Sequence, residues 1–443
     1  MKLWDKGINL NEVIEKFTVG KDRELDLYIA PYDILGSVAH VKMLESAGLI
    51  EEEDLPLLVN ELKKLYKSAI SGKFKIDEGI EDVHSQVEFI LTKELGDLGR
   101  KIHSGRSRND QVLLDLKLFT RDAIKDIVES TSKLTDMLLL KSDQYKEVLM
   151  PGYTHLQVAM PSSFGLWFSA YAESFTDDLL LLQAAFNITN QNPLGSAAGY
   201  GSSFPLNRQM TTDLLGFSNM NYNVVYAQMG RGKVEKIVSF ALASLAATLA
   251  KLSYDLCLYA SQNFDFIRLP DEFTTGSSIM PHKKNPDVLE LIRARCNKIQ
   301  GVPGQITMII NNLPSGYFRD MQILKEIFLP VFEELKDCLL VACLVLEDIN
   351  VNTNILSDRK YEYIFSVEEV NKLVLDGIPF RDAYRQIAEK IENGDFKPDK
   401  KVVHTHEGSI GNLCIDNIAE RKDKILKSFG FENIARIIDQ LLA

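Results

Sequence analysis

The pattern of apolar and polar positions is helical along almost the whole chain. Residues 110–145 contain neither glycine nor proline and keep apolar side chains at helical spacing, which predicts one very long helix. Comparable apolar runs follow Pro161, Lys233, Pro286 and Met321, and strand and helix patterns do not alternate. Because helices of this length need partners along their sides, the pattern predicts an all-α fold with a long central helical bundle.

Domain boundaries are expected where the long helical patterns begin and end. We place an N-terminal helical domain at 1–104, the central bundle at 105–354 and a small C-terminal helical domain at 355–443. The run 237–250 is uncharged, but Lys251 ends it well short of a membrane-spanning length. We therefore expect a helix buried on every side, partly by other copies of the chain.

Composition and charge narrow the class of protein. The chain has 443 residues, 45% of them hydrophobic and 25% charged, as in a globular protein with large cores. A net charge of -12 argues against nucleic acid or an anionic membrane as a partner. Five cysteines without metal spacing predict no metal centre, and the segment Met1–Lys6 lacks the apolar core of a secretion signal. We expect a cytoplasmic protein that acts on a small molecule.

One polar segment, residues 276–286, carries two serines, two lysines and two prolines ahead of a helix expected to begin at Pro286. A helix N-terminus beside Lys283 and Asn285 favours a carboxylate. Ser277 can act as a base only if positive charge or backbone donors stabilise its alkoxide. This combination suits elimination from a succinyl-type group, whereas the alternative is a mobile surface loop with solvated lysines.

Two further polar segments adjoin long helices. Residues 99–111 hold four cations around short donors, with Asn109 or Asp110 expected to cap the next helix. Such arginines can clamp a carboxylate, or they can simply pair with acidic neighbours. Residues 150–161 form a proline-bounded connection with a single histidine, His155, which is either a general acid or base or a structural residue.

Together the three segments resemble the active-site loops of the fumarase/aspartase superfamily. The run Gly-Ser-Ser-Ile-Met-Pro-His-Lys-Lys-Asn-Pro at 276–286 is similar to the signature that all branches share. The runs His-Ser-Gly-Arg-Ser-Arg-Asn-Asp-Gln at 103–111 and Pro-Gly-Tyr-Thr-His-Leu-Gln at 151–157 resemble the argininosuccinate lyase branch in particular. Similar segments occur over roughly residues 26–330.

The resemblance implies a role for each matching residue. Ser277 would take the proton from the succinyl carbon, Lys283 and Asn285 would hold the carboxylate, and His155, paired with Glu290, would help to protonate the departing nitrogen. Further positions that match substrate-contacting residues of the family are Ser37, His84, Ser107, Arg108, Asn109, Thr154, Tyr317, Gln322 and Lys325.

The implied reaction is cleavage of argininosuccinate to arginine and fumarate without metal or organic cofactor. The resemblance also implies a homotetramer whose active sites each combine loops from three subunits. Residues 225–232 depart from the usual acidic run of the family and keep only Arg231, which puts specificity at the amino-acid end of the substrate in question. Two alternatives stay open: another N-succinyl substrate such as adenylosuccinate, and a non-catalytic structural protein like the lens crystallins of this family.

Overall fold

A computed structural model describes residues 12–443 of the chain, and the segment Met1–Lys6 lies outside them. The predicted all-α fold is confirmed. The helices are α1 Glu12–Val19, α2 Asp22–Ser46, α3 Leu55–Ile70, α4 Val83–Leu95, α5 Asp97–Arg100, α6 Arg108–Gln144, α7 Phe164–Thr189, α8 Arg208–Leu214, α9 Val224–Met229, α10 Lys233–Tyr259, α11 Asp287–Gln300, α12 Val302–Ile310, α13 Leu324–Glu347, α14 Ser366–Leu375, α15 Phe380–Glu392, α16 Ile415–Lys427 and α17 Phe431–Leu442.

Short strands form four two-stranded ribbons among the described residues. The strands are β1 Leu149–Thr154, β2 Gln157–Ser163, β3 Gln191–Asn192, β4 Asn219–Met220, β5 Ile267–Arg268, β6 Thr275–Gly276, β7 Lys284–Asn285 and β8 Asn350–Val351. The pairs β1–β2, β5–β8 and β6–β7 are antiparallel, and β3–β4 is parallel. They close connections between helices and do not build a separate layer.

The central bundle consists of α6, α7, α10, α11 with α12, and α13. Helix α6 packs against α7 and α13, while α10 packs against α7 and α11. Their facing sides supply most of one continuous apolar core. The very long helix predicted at 110–145 is α6, which has 37 residues. Its N-cap is Ser107, not Asn109 or Asp110 as expected, because Asp110 completes a capping box by accepting from the Ser107 amide.

Helix α10 is, within the part of the chain that the structure describes, the one helix apolar and long enough to cross a membrane by composition and length alone. More than half of its apolar window is buried against neighbouring helices. The single chain leaves part of α10 uncovered, since Phe240 and Tyr254 are each 52% exposed, and burial of this part by other copies of the chain stays a prediction. Ala247 lies between them on the same exposed stripe.

The connection at residues 150–161 forms a β-hairpin, which the sequence pattern did not predict. Strands β1 and β2 pair from Leu149 with Ser163 to Thr154 with Gln157. The two residues at the tip, His155 and Leu156, have φ angles of 56° and 58°. Positive φ at both positions gives the twist that a two-residue hairpin requires, although neither residue is a glycine.

The C-terminal part packs in two ways. Val370, Ala383, Ile387 and Phe396 form a small core of their own between α14 and α15. Helix α16 instead packs against α6 and α7, and α17 contacts α8, so the end of the chain returns to the main core. The predicted domain limits near residues 104 and 354 stay a prediction.

Candidate active site

A cavity of about 210 Å³ lies where the N-terminal ends of α2, α4, α6 and α13 converge. Four helix N-termini at one point make the region favourable for negatively charged groups. Six of the predicted substrate-binding residues line it. They are His84, Arg108, Asn109, Tyr317, Gln322 and Lys325. The other lining residues are Asp22, Asp26, Glu81, Asp82, Val112, Arg231 and Arg319.

A buried ammonium group sits between two carboxylates on the first turns of α2. Lys325 Nζ lies 2.7 Å from Asp22 Oδ1 and 2.6 Å from Asp26 Oδ1, with only 6% of the lysine side chain exposed. Burial would lower the pKa of Lys325, but the two carboxylates outweigh burial and raise this pKa. Lys325 therefore remains a cation and ties α13 to α2.

Glu81 joins two arginines at the rim of the cavity. Its carboxylate accepts from Arg319 Nη2 at 2.7 Å and from Arg108 Nη1 at 3.3 Å. Arg108 Nε also lies 3.2 Å from Asp82, which caps α4 by accepting from the Ser85 amide. Both guanidinium groups are therefore held by carboxylates of this chain.

His84 is buried at the inner wall of the cavity. Its Nδ1 donates to Asp33 Oδ1 at 2.8 Å and lies 3.6 Å from Asp115 Oδ2. Burial would lower the pKa of His84, but the carboxylates raise it to about 9, so the ring is an imidazolium at neutral pH. These three side chains are spaced closely enough to hold a metal ion, yet the imidazolium and the adjacent Arg106 guanidinium already supply positive charge to the two carboxylates.

The segment after Tyr317 is fastened from two sides. Gln322 Nε2 donates to the carbonyl of Thr18 at 2.9 Å, at the end of α1. On the other side Arg231 Nη2 donates to the carbonyl of Met321 at 2.9 Å, while Arg231 Nε lies 2.7 Å from Glu235. A buried ion pair thus orients the turn that carries Gln322.

Four predicted substrate contacts do not line the cavity, namely Ser37, Ser107, Thr154 and Asn285. Ser37 is fully buried behind it and accepts from Arg106 Nη1 at 2.9 Å. Ser107 is occupied as the N-cap of α6, where its hydroxyl accepts from the Asn109 amide at 3.3 Å. Within the single chain Ser37 therefore holds the Arg106 guanidinium, and Ser107 caps α6.

Residues 276–286, called the Ser277 segment below, lie on the surface and include the connection between β6 and β7. Ser277 Oγ accepts from the amide of Met280 at 3.1 Å and more weakly from that of Ile279 at 3.4 Å. These amides supply part of the positive field that an alkoxide needs. Helix α11 begins at Asp287, one residue later than expected, and its N-terminus lies beside Asn285. Lys283 and Glu290 are exposed.

His155 and Thr154 are exposed at the tip of the β1–β2 hairpin. Throughout residues 12–443, no hydrogen bond or ion pair joins the hairpin tip, the Ser277 segment and the cavity to one another, and none joins His155 to Glu290. Within the single chain the cavity is therefore separate from His155 at the hairpin tip and from Ser277 on its surface segment.

Six polar residues of the cavity were not predicted from the sequence. They are Asp22, Asp26, Glu81, Asp82, Arg231 and Arg319. Asp22 and Asp26 are spaced four residues apart on α2, a spacing that looks like a solvated helix face. The signal that could have found them is the apolar surroundings, because α2 carries few polar residues elsewhere along its buried side.

Comparison with known proteins assigns the chain to a class of enzymes, the lyases. The sequence profile of a family described as lyase matches residues 9–301, about two thirds of the chain. EDDS lyase in complex with formate has the same fold, with a TM-score of 0.78 at 21% identity over 99% of this chain and 97% of that one. A fumarate lyase/delta crystallin from Brucella melitensis bound to cobalt gives a TM-score of 0.70 at 16% identity, covering 91% of both chains.

Closer relatives narrow the class. The argininosuccinate lyase of Parabacteroides distasonis is 65% identical over 433 residues, covering 98% of this chain and 97% of that protein. The argininosuccinate lyase of Bacteroides fragilis is 63% identical over 441 residues, and that of Thermotoga neapolitana is 38% identical over 389. The chain belongs to the argininosuccinate lyase family, and the resemblance seen in its three loops is confirmed.

Proposed function

We propose that this protein cleaves argininosuccinate to arginine and fumarate by β-elimination, as a step of arginine biosynthesis in the cytoplasm. The observation that carries the proposal is a cavity lined by six family substrate positions in a chain that also keeps the complete Ser277 segment. Full-length relatives that bear the name argininosuccinate lyase support it.

The reaction follows from the chemistry of the exposed segments. Ser277, as alkoxide, takes a proton from the succinyl carbon next to a carboxylate, and the electron pair moves into that carboxylate. Lys283, Asn285 and the N-terminus of α11 stabilise the resulting extra negative charge. The carbon–nitrogen bond then breaks, fumarate forms, and the departing guanidino nitrogen gains a proton with the help of His155. Glu290 of another copy orients that histidine.

We further propose that the active site is completed between subunits of a homotetramer. Two kinds of observation support shared sites. In the single chain His155 and Lys283 are exposed and Ser277 is half-buried on a surface segment, and the bundle leaves an apolar stripe at Phe240 and Tyr254 uncovered. Other exposed apolar side chains of the bundle lie on α6, α7 and α13. They are Leu140, Leu180, Leu181, Leu340 and Leu344.

An absorbance assay tests the proposed reaction. Purified protein mixed with argininosuccinate should produce the ultraviolet absorbance of fumarate, and adenylosuccinate should give a much lower kcat/KM. A folded sample that produces no fumarate from argininosuccinate contradicts the proposal and favours a structural protein. A higher kcat/KM on adenylosuccinate favours the rival N-succinyl substrate.

A further inference from the structure

The β1–β2 hairpin reaches its exposed tip with little support from the rest of the chain. Residues 154–158 are all exposed, and within residues 12–443 no side-chain hydrogen bond involves any of residues 154–160. Tyr153 is half-buried and is the last residue of β1 that packs against the fold before His155. The direction in which the tip points therefore depends on how Tyr153 is held.

Aromatic side chains hold Tyr153, and one of them comes from the C-terminal part of the chain. The centroid of the Tyr153 ring lies 5.5 Å from that of Phe264 and 6.4 Å from that of Phe266. Tyr361 packs against Phe266 with a centroid distance of 6.1 Å, and its hydroxyl accepts from the Tyr153 hydroxyl at 3.4 Å. Tyr361 therefore supports the hairpin both directly and through Phe266.

Tyr361 is itself fixed in place. Only 3% of the residue is exposed, and it lies in a short 3₁₀ helix, Arg359–Phe365, that packs against both strands of the hairpin. Asp358 caps this helix, since its side chain accepts from the Lys360 amide at 3.0 Å. Because buried side chains are closely packed, Tyr361 presents a fixed surface to the hairpin.

We propose that Tyr361 is a positioning residue for the reaction, because its contacts with Tyr153 and Phe266 fix the direction in which the hairpin presents His155. The inference rests on the proposed function, in which His155 helps to protonate the departing nitrogen. Misplacing a reacting group by about 1 Å can cost about a hundredfold in rate, so a small tilt of the hairpin is enough to lower turnover.

The ring of Tyr361 is expected to matter more than its hydroxyl. A separation of 3.4 Å is long for a hydrogen bond between two hydroxyl groups, which usually measures about 2.7–2.8 Å. The ring, by contrast, fills a buried position and meets Phe266 edge to face. Tyr361→Phe should therefore keep most of the positioning, and Tyr361→Leu should lose it.

Steady-state kinetics with argininosuccinate tests the proposal. Tyr361→Leu should lower kcat about tenfold and leave KM nearly unchanged, because His155 acts on the departing nitrogen and not on substrate binding. Tyr361→Phe should stay within about threefold of the wild-type kcat. The matched control is Tyr363→Leu, in the same 3₁₀ helix but 52% exposed, which should behave as wild type. A wild-type kcat in Tyr361→Leu overturns the proposal.

A double substitution separates positioning from a general loss of structure. In a His155→Ala background the tip has no group left to position, so adding Tyr361→Leu should lower kcat less than about twofold. A further fall of about tenfold in that background overturns the proposal, since the ring would then act independently of His155. If Tyr361→Leu does not fold, Tyr361→Met fills more of the buried volume and takes its place in the same comparison.

Hydrogen exchange measured by mass spectrometry gives a readout that does not depend on turnover. Amides of residues 149–163 should exchange at least about threefold faster in Tyr361→Leu than in wild type, while peptides from α13 stay unchanged. Unchanged exchange in the hairpin overturns the support assigned to Tyr361. Unchanged exchange together with normal wild-type cleavage rejects this inference alone, whereas a wild-type protein that forms no fumarate rejects the proposed function and the positioning role with it.

Discussion

The binding cavity and the Ser277 segment differ in how the chain treats their cations. In the cavity, Lys325 is buried and contacts two carboxylates at 2.6 and 2.7 Å. In the segment between β6 and β7, Lys283 is exposed and forms no ion pair with any described residue. The comparison shows that the charged groups of the cavity are largely paired within one chain, whereas Lys283 is left open to solvent.

The hairpin tip belongs with the exposed region. His155 and Leu156 both adopt positive φ, and Leu156 is 80% exposed. A left-handed backbone at two consecutive residues with side chains stores strain, which folded proteins retain mostly at functional positions. The exposed region therefore combines solvent-exposed polar groups with backbone strain, whereas no non-glycine residue that lines the cavity has a positive φ.

The largest expected effect is a loss in the free energy of unfolding when the buried lysine of the cavity is replaced. Lys325→Met leaves Asp22 and Asp26 buried without their cation, and removing one partner of a buried pair typically costs about 3–5 kcal/mol. Urea unfolding at neutral pH should show this loss. The control is Lys336→Met, on the same helix as Lys325. It removes an exposed ion pair with Asp126 of α6 and should cost at most about 1 kcal/mol. Equal losses of unfolding free energy in both variants would contradict the claim that the buried ion pairs of Lys325 stabilise the cavity.

The second effect is on the rate of the reaction. Ser277→Ala should lower kcat at least about a hundredfold if Ser277 is the base, with little change in stability because the side chain makes only local contacts. Steady-state fumarate formation measures it. The neighbouring Ser278→Ala is the matched control and should retain most of the rate. A near-normal rate in Ser277→Ala rejects this residue as the base.

The smallest effect is on the strained tip. Leu156→Gly should raise the free energy of unfolding by up to about 1 kcal/mol, because glycine adopts positive φ without a steric penalty. Leu156→Ala keeps the penalty and serves as the control for loss of the side chain. Thermal unfolding of both variants gives the comparison, and a glycine variant no more stable than the alanine variant would show that the tip is not strained.

The bundle and the three polar segments could be predicted from sequence because helical spacing and runs of glycine, proline and cations are local signals. The hairpin could not, since Pro151 and Pro161 disfavour the strand assignment and their pairing depends on the register of two separate runs. The cavity carboxylates could not be predicted either. Asp22 and Asp26 become buried only because α2 meets α13, a contact between residues about 300 positions apart.

Sequence motifs could identify residues of the candidate site, but they could not show which of these residues line the cavity and which lie on exposed segments. Sequence motifs identified both Lys325, as a substrate contact, and Lys283, as a catalytic residue, but did not show that the first is enclosed and the second exposed. Whether a motif residue acts within its own chain depends on tertiary packing, which a motif does not encode.

Pairwise mixing of inactive variants tests most directly that the two regions act together between copies. Co-expressed Ser277→Ala and Asn109→Ala chains, inactive alone, should form hybrid oligomers with activity far above either parent, because some sites combine an intact segment with an intact cavity. The control pair Ser277→Ala and Lys283→Ala alters the same segment and should stay inactive. Hybrids of the first pair that are shown by affinity tags to be mixed, yet are as inactive as their parents, would contradict a site shared between chains.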